Sequence, residues 1–116
     1  MEKLIENEKI EIYTIRIPIE DSGHVSNCYF IIDKNTKEGI IVDPAYNEKY
    51  IIEEIKKSGF KIKVIYLTHC HGDHIGALEG VYEYLKNEKA IILIHEKDKE
   101  GLFDKIKNCK FLLRFS

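Results

Sequence analysis

Three of the chain's five histidines, His69, His71 and His74, fall within six residues of the stretch Leu67-Thr68-His69-Cys70-His71-Gly72-Asp73-His74-Ile75-Gly76. Asp73 adds a carboxylate among them. Imidazole nitrogen and carboxylate oxygen are donors that zinc takes, and that iron or manganese also accept. His69 and His71 are two apart, so in an extended segment their side chains leave the same side and converge on one ion. Asp73 and His74 come as the chain turns into a following helix, placed to face a second ion. Gly72 and Gly76 permit the sharp backbone path this requires. Cys70 reads as a small packed apolar residue rather than a ligand. His24 and His95 lack such company and read as ordinary polar side chains.

Donors at this spacing need elements that hold them. Ile10 to Ile19 is rich in β-branched residues and predicts a strand ending near Pro18. Asn27 to Asp33 predicts a second strand, with a turn from Asp33 to Gly39. Gly39 to Pro44 is a short apolar strand halted by Asp43-Pro44, and these strands are expected to run antiparallel through tight loops. After Pro44 the period changes. Glu48 to Gly59 carries Ile51, Ile52 and Ile55 at helical spacing, with Gly59 where a helix stops. Lys61 to Leu67 reads as a strand covered on both faces. Ile75, Leu78, Tyr82 and Leu85 mark an amphipathic helix running to about Lys86, and Ala90 to Ile94 is another buried strand. Strand, helix, strand, helix, strand builds a parallel sheet. The class is α/β, and the histidine segment sits at the carboxyl end of a buried strand, where such sheets place their sites.

The 116 residues are expected to form one domain, 1–116, long enough to bury a core. With 18 Lys and Arg dispersed among 20 acids and a net charge of −2, nothing favours nucleic acid or an acidic membrane as partner. The amino-terminal residues lack the apolar core of a signal peptide, and no run approaches the roughly 18 residues of a membrane span. The 3 cysteines, Cys28, Cys70 and Cys109, show no disulfide framework, which predicts a reduced, cytoplasmic protein.

Thr68 to Gly76 resembles the H-x-H-x-D-H signature of the metallo-β-lactamase-fold hydrolases, most closely the glyoxalase II-like (hydroxyacylglutathione hydrolase-like) branch. Asn27-Cys28-Tyr29-Phe30-Ile31-Ile32 is similar to the family's early "NCY" strand. Ile41-Val42-Asp43-Pro44 is similar to its Asp-Pro strand end, and Ile91 to Asp98 to the strand and "H-E-x-D" that follow. The resemblance implies the amino-terminal half of an αβ/βα sandwich, a mixed sheet with helices on its outer face. It implies that His69 and His71 bind one zinc, and Asp73 and His74 a second, with Asp73 also counted as catalytic. Hydroxide held between the ions would attack an ester or thioester of a small-molecule substrate. Asp43 would orient the ligand loop without binding metal.

The family's remaining ligands, a third histidine, a bridging aspartate and a further histidine, have no counterpart after His74. The chain alone is therefore expected to be weakly active or inactive. Alternatives are a non-catalytic metal-binding or assembly module of the same fold, or an iron-binding redox member. A half sandwich also leaves its inner sheet face uncovered, around Ile12, Tyr29, Ile31, Ile41, Val64 or their strand neighbours. A homodimer covering that face is the expectation.

Overall fold

Alternation in the amino-terminal third and a helical period after Pro44 produce the elements that the sequence predicts, with additions at residues 2–6, 86–88 and 113–115. The computed structural model describes residues 1–18, 23–68 and 77–94, together with the backbone of 113–115. Its strands are β1 (Glu2–Glu6), β2 (Ile10–Pro18), β3 (Val25–Asp33), β4 (Glu38–Val42), β5 (Lys61–Leu67), β6 (Ile91–Ile94) and β7 (Leu113–Phe115). Helix α1 (Glu48–Ser58) joins β4 to β5, and α2 (Leu78–Leu85) precedes β6. The strands lie side by side in chain order. β1 to β4 pair antiparallel, whereas β4 to β7 pair parallel.

Local chemistry fixes the joints. Asp33 turns the chain between β3 and β4, its Oδ1 accepting from the amides of Asn35 at 2.8 Å and Thr36 at 3.0 Å. Those amides hold its carboxyl below the usual carboxylate range. Asn47 caps α1 by accepting from the Tyr50 amide at 3.2 Å. Gly59 ends the helix at φ 75°, a conformation costly for a residue with a Cβ. Helix α2 starts at Leu78; the predicted start at Ile75 lies outside the described residues.

Both helices cover the same face of the sheet. Ile51 and Ile55 of α1 join Leu78, Val81, Tyr82 and Leu85 of α2 in one cluster with Ile15, Phe30, Ile41, Ile65 and Ile92 from the strands. An extra residue in β5, between the positions paired with Gly39 and Ile40, shifts the alternation by one. Ile62 and Ile65 can therefore both face the helices, and both are buried.

The opposite face decides what apolar runs leave open. β5 reads as a strand covered on both sides; among the described residues no helix packs on its second face, where Val64 and Tyr66 are half-buried, as are Ile91 and Leu93 of β6. Ile41 lies on the helix side at 0 % exposure. Its neighbours Ile40 and Val42 lie on the other side, with Ile12, Tyr29, Ile31 and Val64. A continuous apolar run specifies a strand able to be covered twice. No helix among the described residues is long and apolar enough to cross a membrane.

Candidate metal-loop scaffold

β4 and β5 are parallel neighbours, and their carboxyl ends lie together. Just past β4 the backbone turns at Asp43, whose φ of 53° is left-handed, a conformation Asp tolerates better than most residues. The Asp43 amide donates to the Tyr66 carbonyl at 2.9 Å, prolonging the ladder by one bond. Its carboxylate turns toward the end of β5 and takes two bonds from one residue. Oδ1 accepts from the Thr68 amide at 2.8 Å, and Oδ2 accepts from the Thr68 hydroxyl. Thr68 is the residue immediately before His69.

The other end of the histidine segment is tied to the same strap. The Ala77 amide, immediately after Gly76, donates to the Ala45 carbonyl at 3.0 Å. Eight residues extended would span up to about 27 Å, yet the anchors before and after residues 69–76 both bond to the three-residue run Asp43-Pro44-Ala45. Pro44 and Ala45 are themselves buried, so the strap rests on the core.

His69, His71, Asp73 and His74 lie outside the described residues, as do Cys70 and His95. Among the described residues no three His, Cys, Asp or Glu side chains gather as a metal site. Two imidazoles, a carboxylate and a third imidazole form a donor set that fits zinc, and the strap gathers both ends of the segment that carries them. Asp43 is bonded to Thr68, the residue before the segment. Sequence reasoning missed the partners of the strap. Thr68 could have been suspected as a hydroxyl at a strand end facing an Asp on the neighbouring strand. The Ala45 carbonyl is a backbone acceptor with no residue-type signature.

Cys28 lies on the helix side of β3 at 0 % exposure. Burial raises its thiol above the ordinary value of 9.0, with the nearby Asp43 charge adding to the effect. A thiol held neutral in this way is neither nucleophile nor metal ligand at neutral pH.

A mixed sheet with helices on one face, whose adjacent parallel strand ends hold the residues flanking a histidine-rich segment, defines an α/β protein. Residues 21–110 match the metallo-beta-lactamase superfamily, and the chain belongs to that superfamily. It is 35% identical over 81 residues to the cytoplasmic hydroxyacylglutathione hydrolase of Arabidopsis thaliana, an alignment covering 70% of this chain and 28% of that protein. It is also 35% identical over 89 residues to a probable metallo-hydrolase of Bacillus subtilis strain 168, covering 77% of this chain and 40% of that one. A crystal structure of a metallo-beta-lactamase from Staphylococcus aureus subsp. aureus COL superposes with a TM-score of 0.64 at 20% identity, over 96% of this chain and 30% of that one. A metallo-beta-lactamase from Pontibacter korlensis gives 0.60 at 18% identity, over 99% and 52%. At such identities the structural likeness speaks for the fold. The chain thus spans well under half of these two curated relatives and about half of the Pontibacter enzyme.

Proposed function

We propose that this chain carries the metal-loop part of a metal-dependent hydrolase acting on esters or thioesters of small molecules, in the manner of hydroxyacylglutathione hydrolases. The carrying observation is the strap: Asp43 and Ala45 hold the residues on either side of the histidine segment. In this reading His69 and His71 hold one ion, and Asp73 and His74 hold a second. Zinc, when bound, lowers the pKa of water toward about 7 and so supplies hydroxide at neutral pH. The chain's own contribution is positioning. Asp43 fixes the start of the loop through both atoms of Thr68 that can donate, which limits the directions open to His69. Two donors per ion are fewer than the three of a catalytic zinc site, so the 116-residue chain alone holds metal weakly and turns over thioesters slowly or not at all. Likeness to a protein named cytoplasmic, together with a free buried thiol at Cys28, supports a reducing compartment.

Zinc competition against a chromophoric chelator tests the reading, with inductively coupled plasma analysis to identify the metal carried from expression. Binding that weakens in His69→Ala and His71→Ala is the expected result. Zinc uptake indifferent to both substitutions would overturn it. Iron retained in place of zinc would move the site to redox chemistry.

A further inference from the structure

Gly80 stands in the first turn of α2 without a local reason. Its backbone is ordinary right-handed helix, a conformation in which alanine is more stable than glycine. The reason lies on the neighbouring helix. A Cβ at Gly80 would fall on the carboxylate of Glu48, with the Glu48 Cγ 3.1 Å away. Glu48 is the first residue of α1, directly after the Asn47 cap. Its carboxylate occupies the notch that the missing side chain leaves in α2. That turn gains from an outside partner, because Ala77 at the cap position supplies no side-chain hydrogen bond. The electropositive end of the helix also favours an acid there, as does Glu79 within the same turn.

Glu48 extends the strap. Asp43 holds Thr68, before the histidine segment; Ala45 holds Ala77, after it; Glu48 seats on Gly80, further into the same helix. In sequence Asp73 and His74 lead through Ile75 and Gly76 straight into Ala77. A shift or rotation of the first turn of α2 therefore carries over to both of them. We infer that Glu48 is a positioning residue for the metal loop: seated in the Gly80 notch, it fixes the first turn of α2 and with it the direction from which Asp73 and His74 approach an ion. The inference rests on the reading of those two residues as ligands. The hold is one of fit between a side chain and a notch, so an isosteric neutral side chain can replace the carboxylate.

Gly80→Ala separates this role from a merely structural one. The added methyl displaces only the end of a flexible, otherwise exposed side chain and improves the helix, so the urea midpoint should hold or rise. Zinc affinity by chelator competition should nevertheless fall about tenfold. Glu48→Ala should lose as much, Glu48→Gln should keep most of the affinity, and Glu48→Ala combined with Gly80→Ala should cost no more than either alone. Amide hydrogen exchange of the metal-free chain gives a readout without zinc. The Ala77 amide, bonded to Ala45, should exchange faster in Gly80→Ala and Glu48→Ala and at the wild-type rate in Glu48→Gln. Unchanged zinc affinity in Gly80→Ala would overturn the inference, whether or not Ala77 exchanges faster, and so would additive losses in the double variant. Equal losses in Glu48→Gln and Glu48→Ala would overturn the fit in favour of charge. Zinc binding that His74→Ala weakens and Gly80→Ala leaves alone would sink this inference only; binding indifferent to His74→Ala would sink the ligand reading beneath it.

Discussion

Tyr29 and Phe30 are adjacent on β3, equally strand-like and similar in size, yet their surroundings differ completely. Phe30 points at the helices, is fully buried, and lies 5.9 Å ring to ring from Phe60, which in turn lies 5.2 Å from Tyr13. Tyr29 points the other way, between Thr14 and Val42 of the flanking strands, and is 36% exposed. Ile32 and Ile31 repeat the contrast with identical side chains, one fully buried and one half-buried. Apolar area stabilises at about 25 cal/mol per Å² only where something removes it from water. Side-chain type therefore decides what a strand can bury, and the neighbouring layer decides what it does bury.

Truncating both faces in turn is the sharpest way to break that contrast. Phe30→Ala should cost about 3–5 kcal/mol, since it empties a ring-sized space in a packed cluster. Tyr29→Ala, at a ring 36% exposed, should cost under about 1 kcal/mol by urea unfolding. Equal losses would mean that the Tyr29 face is covered within a single chain. The next effect concerns backbone proximity on the helix side. A Cβ at Gly39 would stand 2.4 Å from both the Ile31 carbonyl oxygen and the Ile32 Cδ1, nearer than atoms approach. The carbonyl belongs to a paired strand and has little room to move. Gly39→Ala should therefore lower stability by about 1–3 kcal/mol at unchanged urea m-value. No loss would show that β3 and β4 are free to separate.

The legible parts of this molecule are those in which a residue type and a local rule agree. Gly59 after a helical period and Asp33 opening a turn each announce an element boundary, and the structure uses both. β1 was not legible: Glu2-Lys3-Leu4-Ile5-Glu6 is short, charged and exposed throughout, and exists through its pairing with β2. The bulge in β5 was hidden because Lys61 to Leu67 reads equally well with or without a shift of one residue. Which face Ile41 takes could not follow from a run of three apolar residues. Around the histidine segment, the candidate donors are readable by residue type and Asp43 by its place after β4. The Thr68 and Ala45 ends of the strap emerge only once two strand ends are brought together.

The strap sits where the two faces meet at the sheet's end, and it invites a smaller test. Asp43→Ala removes both acceptors for Thr68 and places a Cβ-bearing residue at φ 53° without a polar side chain to ease it. Zinc affinity, by chelator competition, should fall about tenfold. Asp43→Asn keeps an oxygen for the Thr68 amide and tolerates the same backbone, so it should lose less. Equal losses in the two variants would assign the effect to charge rather than to the hold on Thr68.

The smallest effect asks whether the covered face is sealed. Cys28 is buried there, and burial raises its thiol above the ordinary value of 9.0, with Asp43's charge second. A group whose folded value is raised contributes stability fully present below its unfolded value and lost as pH rises past it. Cys28→Ala should cost about 1 kcal/mol at pH 7 through lost packing. Above pH 9 the wild type must also keep its thiol neutral while the unfolded chain releases the proton. Its advantage over the variant should then shrink by up to about 1.4 kcal/mol per pH unit. Lysines and tyrosines titrate in both proteins and cancel from the difference. The measurement is urea unfolding of the pair from pH 7 to pH 10. A gap that stays constant across that range would mean that the folded thiol ionises as freely as the unfolded one, so that water reaches the helix side of β3 as it reaches Tyr29.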